Sequence, residues 1–243
     1  MSIAIQICDT PEGVAQKAAA SIARQIQQKP DAVLGLATGS TPILTYAELV
    51  RLHREQHVSF AQTTAFNLDE YVGLSGNHDQ SYRYFMQHHL FDHIDIQSWN
   101  TYVLNGKAVD AQAECQAFEL KIRACGGIDL WLIGIGRNGH IAFNEPGSTS
   151  DSRTRIIDLL PDTILTNSRF FTNPGDVPKH ALTVGVGTIC DARQVVLLAT
   201  GKDKADAIDR AVNGPIGSQC PASFLQNHPA CTIILDKEAA SKL

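Results

Sequence analysis

The 243 residues contain no C-x-x-C pair, no run of eighteen apolar residues and no long block of lysine or arginine. Each absence removes a class of protein. Six scattered cysteines (Cys8, Cys115, Cys125, Cys190, Cys220 and Cys231) in a chain of this size do not make a disulfide framework, so reduced thiols in a cytoplasmic setting are the expectation. No segment is apolar enough for a bilayer span, and the N-terminal MSIAIQICDTPEG lacks the basic-then-apolar order of a signal peptide; neither is expected. A formal net charge of −5 gives no general attraction for nucleic acid or an anionic membrane, which leaves small molecules as the expected partners. The nucleotide-binding pattern G-x-x-x-x-G-K-[ST] is missing, and the histidines show no ligand spacing with cysteine or acids, so no metal site is expected.

What is present is a hydrophobic content of 44%, enough to bury one sizeable core and consistent with a single domain over residues 1–243. Short β-rich runs at 3–7, 32–37, 64–69, 101–104, 129–134, 194–199 and 231–235 alternate with helical patterns. That alternation predicts an α/β fold with an open, mostly parallel sheet covered on both faces. Thr10 and Pro11 open the first helix, with Val14, Ala18, Ile22 and Ile26 on one face; a later helix spaces Ala111, Cys115, Phe118, Ile122 and Cys125 by four and three. From Pro146 to about Val184 the alternation breaks into Gly, Pro, Ser and Thr clusters, a pattern common in covering segments.

Three segments carry candidate chemistry. In AVLGLATGSTPILTY an apolar strand is followed by Gly39, Ser40 and Thr41, with Thr41 expected as the cap of a helix whose first residue is Pro42; free N–H groups there suit a phosphate. Arg169 and Lys204 are candidate cations for the same group, and Lys202 serves as well as Lys204 on pattern alone. In FNLDEY, Asp69 and Glu70 stand where a strand is expected to end, the place where catalytic groups of open α/β sheets gather. The plainer account is that one acid caps the next helix and the other is solvated. In DLWLIGIGRNGHIAFNEPG, Gly134, Gly136 and Gly139 formally match G-x-G-x-x-G, but the match lies mid-chain and runs into HIAFNEPG instead of a long small-residue helix, so a dinucleotide site is rejected. His140 and Glu145 are close enough for a turn to bring carboxylate to imidazole.

Taken in order, LATGSTPILTY, FNLDEYVGL, SYRYFM, GIGRNGHIAFNEPG, SRTRI, NSRFF and ALTVGVGT resemble the glucosamine-6-phosphate deaminase (glucosamine-6-phosphate isomerase) family over about residues 3–236. The resemblance implies a Rossmann-like sheet of the deaminase/isomerase type and conversion of glucosamine 6-phosphate and water to fructose 6-phosphate and ammonium, without metal or organic cofactor. It assigns Asp69 as the base at carbon 2 and His140 as the ring-opening residue, assisted by Glu145 and Asn138. Gly39, Ser40, Thr41, Arg169 and Lys204 become the phosphate set, and about 155–184 a lid. Asn138 stands where some members have Asp, and Ile157 where allosterically activated members have Lys; with the short C-terminal LDKEAASKL, a monomer without an activator site is the expectation. Two rivals are a 6-phosphogluconolactonase, against which FNLDEY and GHIAFNEP weigh, and a non-catalytic sugar-phosphate sensor, against which Asp69 and His140 weigh.

Overall fold

The computed structural model describes residues 3–168, 171, 173 and 176–243. Ten strands are present there: β1 (Ala4–Cys8), β2 (Val33–Leu36), β3 (Thr64–Asn67), β4 (Asp69–Tyr71), β5 (Thr101–Tyr102), β6 (Leu130–Gly134), β7 (Arg155–Asp158), β8 (His180–Thr183), β9 (Gln194–Ala199) and β10 (Cys231–Asp236). The helices are α1 (Pro11–Gln28), α2 (Ile43–Gln56), α3 (Tyr82–His89), α4 (Ala111–Ala124), α5 (Pro161–Ser168), α6 (Val186–Cys190) and α7 (Ala205–Val212). Seven strands form one sheet in the order β1-β10-β9-β6-β2-β3-β5, with every pairing parallel.

Parallel strands need helical crossovers, which is why the inner strands of this sheet are buried on both sides, while Ala4–Ile7 of the edge strand β1 are exposed. Along β9, Val195, Leu197 and Ala199 pack into a cluster with α4, α6 and α7, whereas Val196 and Leu198 pack against α1, α2 and α3. The helices carry their own start signals. The Thr10 hydroxyl accepts the Gly13 N–H at 3.2 Å with Pro11 in the first turn, and the Asp110 carboxylate accepts the Ala113 N–H at 2.9 Å. The expected apolar stripe of α1 is buried, and so are Cys115, Phe118 and Ile122 of α4, with Ala111 and Cys125 at its ends partly buried.

Three expectations are corrected. The run at 64–69 is not one strand: the chain leaves the main sheet at Leu68, whose carbonyl accepts the Val184 N–H at 2.7 Å, and Asp69–Tyr71 joins a separate antiparallel sheet in the order β4-β8-β7. The run at 101–104 contributes only Thr101 and Tyr102. Helix α2 begins at Ile43 with Pro42 in the cap position and no side-chain cap, because the Pro42 carbonyl is the one that accepts the first intrahelical bond, from the Tyr46 N–H. Thr41 therefore lies before the helix, in the loop.

Candidate active site

Strands β9, β6, β2 and β3 are neighbours, so the segments leaving their carboxyl ends gather on one edge. The order also reverses there: after β2 the chain builds outward through β3 and β5, then returns to place β6 on the other side of β2. Such a reversal opens a crevice between the two loops, the usual ligand position in open α/β sheets. Gly39, Ser40 and Thr41 follow β2, Asp69 follows β3, Asn138, His140 and Glu145 follow β6, and Lys204 follows β9. Arg169 lies outside the described residues, as does part of the expected lid.

Gly39 has φ +102°, and the space where its side chain would stand is open. The strand end behind it is fixed from two sides: the Asn67 amide donates to the Leu36 carbonyl at 3.0 Å, and the buried Tyr46 hydroxyl donates to the Ala37 carbonyl. Burial pushes the Tyr46 phenol up, with the Asp69 charge adding to the shift.

Neither acid of FNLDEY is solvated, which corrects the plainer account of that pair. Glu70 is 1% exposed and accepts N–H groups from Tyr71, Tyr82 and Arg83 at 2.9, 3.0 and 3.1 Å and the Ser81 hydroxyl at 2.9 Å, so it anchors the start of α3. Burial raises its pKa against the pull of those donors. Asp69 is 6% exposed, and its Oδ1 has no hydrogen-bond partner. Burial drives its carboxyl well above the ordinary carboxylate range, and the Glu70 charge adds to that. A buried, unsatisfied carboxylate is strained as an anion and avid for a proton.

The loop after β6 is shaped around His140. Its imidazole lies against Gly136, where a Cβ would meet the ring at 2.2 to 2.4 Å, so only glycine allows this placement. Asn138 turns the loop by accepting the His140 backbone N–H at 3.2 Å and gives its amide to Glu145 Oε2 at 2.6 Å. It therefore serves the carboxylate and the backbone, leaving the ring to Glu145. His140 Nδ1 is 3.3 Å from Glu145 Oε2, within ion-pair distance but without hydrogen-bond alignment. The other oxygen, Oε1, accepts the Thr163 hydroxyl of α5 at 2.6 Å. Burial acts to raise the Glu145 pKa, but the adjacent His140 ring, with the Thr163 and Asn138 donors, outweighs it and holds the carboxyl down at about 2.

Asp69 and the His140 loop are joined through β8. Asp69 stands opposite Thr183 in the β4-β8 ladder, and the Thr183 hydroxyl accepts the Phe143 N–H of the His140 loop at 3.1 Å. The Asn144 amide donates to the Val184 carbonyl at 2.8 Å, completing the seam. Over it lies a ring cluster missed in the sequence, with Tyr71 and Tyr82 centroids 5.0 Å apart and Phe143 and Phe171 against them. Lys204 is half-buried at the end of the single turn Lys202–Lys204, while Lys202 is exposed.

Because the folded-state pKa of Glu145 is depressed from 4.5 to about 2, its ion pair stabilises the fold above the ordinary carboxylate pKa and is lost as pH falls through that window. Thermal melts between pH 2 and 7 are expected to show a steeper acid limb for the wild type than for Glu145→Gln.

A crevice of this kind, with separated carboxylate and imidazole centres and a loop suited to an anion, fits an open α/β enzyme acting on a small anionic molecule. The chain belongs to the glucosamine-6-phosphate isomerase/6-phosphogluconolactonase family, whose model matches residues 9–234. It is 54% identical over 237 residues to a glucosamine-6-phosphate deaminase of Hahella chejuensis, covering 98% of this chain and 90% of the relative. Glucosamine-6-phosphate deaminase 1 of Giardia intestinalis is 51% identical, with 98% and 89% covered. Among solved structures, one described as a monomeric glucosamine-6-phosphate deaminase matches with a TM-score of 0.97 at 44% identity, over 99% of this chain and all of that one. A 6-phosphogluconolactonase from Trypanosoma cruzi shares the fold, with a TM-score of 0.80 at 24% identity. Among the described residues no helix is long and apolar enough to cross a membrane.

Proposed function

We propose that the chain is a glucosamine-6-phosphate deaminase, acting as a cytoplasmic monomer in amino-sugar breakdown. The observation that carries this reading is the buried Asp69 carboxylate with an unpartnered oxygen, one strand away from the His140 loop and on the same sheet edge as the Gly39–Thr41 loop. Relatives at 50% identity and above bear the same activity in their names.

In this reading His140, with Glu145 as its fixed anion, moves the proton that opens the sugar ring. Asp69 then takes the hydrogen from carbon 2, now acidified by the neighbouring aldehyde, and returns it to carbon 1. The resulting imine at carbon 2 adds water and releases the nitrogen as ammonium, leaving fructose 6-phosphate. A base of raised pKa suits this step, since removing a proton from carbon needs a strong acceptor in contact. The loop 39–41 and Lys204 hold the phosphoryl group, with Arg169 assigned on the family resemblance. Residues 155–184 act as the cover, and both ends of that segment are pinned in the small sheet through β7 and β8. Purified protein given glucosamine 6-phosphate is expected to release ammonium and fructose 6-phosphate in equal amounts. Hydrolysis of 6-phosphogluconolactone with no ammonium from the amino sugar would replace this reading with the lactonase one.

A further inference from the structure

An acid at the end of a strand is ordinarily solvated, yet Asp236, the last residue of β10, is 3% exposed. Its strand runs parallel to β9 with Leu235 beside Ala199, so its side chain reaches the segment that leaves β9. Both carboxylate oxygens accept the Gly201 N–H, at 3.1 and 2.9 Å, and Oδ1 also accepts the Ala239 N–H at 2.8 Å. Gly201 has φ +87°, and its carbonyl in turn accepts the Lys204 N–H at 3.1 Å. The peptide groups on both sides of Gly201 are thus fixed, and with them the turn that carries Lys204 into α7.

We propose that Asp236 is a positioning residue for the phosphoryl group, acting through this turn; the proposal rests on the deaminase reading of the site. A second tether, Arg137 Nε to Asp203 Oδ2 at 2.8 Å, joins the same turn to the His140 loop, but its partners are 74% and 44% exposed. Exposed pairs of that kind contribute little. The buried carboxylate is the firmer anchor, because a charged acceptor shielded from water holds its N–H donors strongly.

Electrostatics alone gives the opposite expectation. A carboxylate on the edge that receives a dianion repels it, so removing the charge would tighten phosphate binding. Positioning requires instead that removing the acceptor loosens it, since an ordered turn spares the ligand the entropy of arranging the lysine and the N–H groups. The sign of the effect therefore separates the two.

The test compares wild type, Asp236→Ala, Asp236→Asn and Lys204→Ala, using inorganic phosphate as the probe by thermal shift and competitive inhibition, alongside kcat and KM for glucosamine 6-phosphate. Asp236→Ala is expected to weaken phosphate and raise KM about tenfold, with kcat within about threefold of wild type, the loss of roughly one charged hydrogen bond. Asp236→Asn, which keeps an acceptor oxygen, should stay within about threefold on each, and Lys204→Ala sets the scale for losing the cation outright. A merely structural role would lower the melting temperature and the active fraction without moving KM or phosphate affinity. A folded Asp236→Ala that binds phosphate as well as or better than wild type overturns the proposal, as does tightening in Asp236→Asn. If Asp236→Ala does not fold, Gly201→Ala strains the same turn, and unchanged phosphate affinity there overturns it equally. Absence of turnover by the wild type would defeat the deaminase reading, while the phosphate titrations would still decide the role of Asp236.

Discussion

Asp69→Asn is expected to lower kcat by at least about 10²-fold and up to about 10⁴-fold, the usual contribution of a positioned base, while KM and inhibition by inorganic phosphate stay within about threefold. The amide has the shape of the carboxyl but cannot take a proton, and the phosphate loop is built on a different strand. The same change is expected to raise the melting temperature. The Asp69 carboxyl has a pKa raised by burial, with the Glu70 charge adding to it. For such a group the stabilising contribution exists at low pH and is lost as pH rises toward and through the folded-state pKa, so at neutral pH this carboxyl is a burden on the fold. Removing that burden should add a few degrees at pH 7 and nothing at pH 3, a gain of the kind seen when a functional site is relaxed. Wild-type turnover in this variant would refute the base assignment; an unchanged melt at pH 7 would refute the burial argument alone.

Gly136→Ala is the second large effect expected. The new methyl group would meet the His140 ring at 2.2 to 2.4 Å, so the imidazole must swing away from Glu145. Displacing an acid/base group by about 1 Å commonly costs on the order of 10² in rate, and kcat/KM should fall by that much. Phosphate affinity should hold, because the 39–41 loop and Lys204 are carried by other strands, β2 and β9. Replacing His140 itself should cost no more than this when combined with Gly136→Ala, since both changes remove the same function. Additive losses in the double variant would show that Gly136 acts through something other than the imidazole.

The main sheet was legible because its strands are short apolar runs bounded by turn residues, and α1 and α4 because their stripes repeat at helical spacing. The candidate residues were legible mostly through the family resemblance, which reads the motifs jointly; on local pattern Asp69 and Glu70 looked like a cap and a solvated acid. The small sheet was not legible. Its strands are three or four residues long and polar in part, and β4 pairs with β8 across more than a hundred positions, as Asp69 does with Thr183. Nothing nearby in sequence marks such a pairing. Glu70 does anchor the next helix, as the plainer account had for one acid of the pair, but which acid does so was not legible, because its donors come from Tyr82 and Arg83, beyond a loop whose path no local pattern fixes. Asp236 carried no signal beyond being an acid after a strand, and its burial follows only from the neighbour that β9 supplies.

Leu68 alone separates the last residue of β3 from the first of β4, so the chain passes from the large sheet to the small one in a single step. On the proposed assignment the anion grip belongs to the first sheet and the proton acceptor to the second, so the span between them is set by the architecture. The molecule would then work as a gauge: a sugar phosphate one carbon shorter or longer is expected to offer the wrong atom at the reading mark, however well its phosphoryl end is seated.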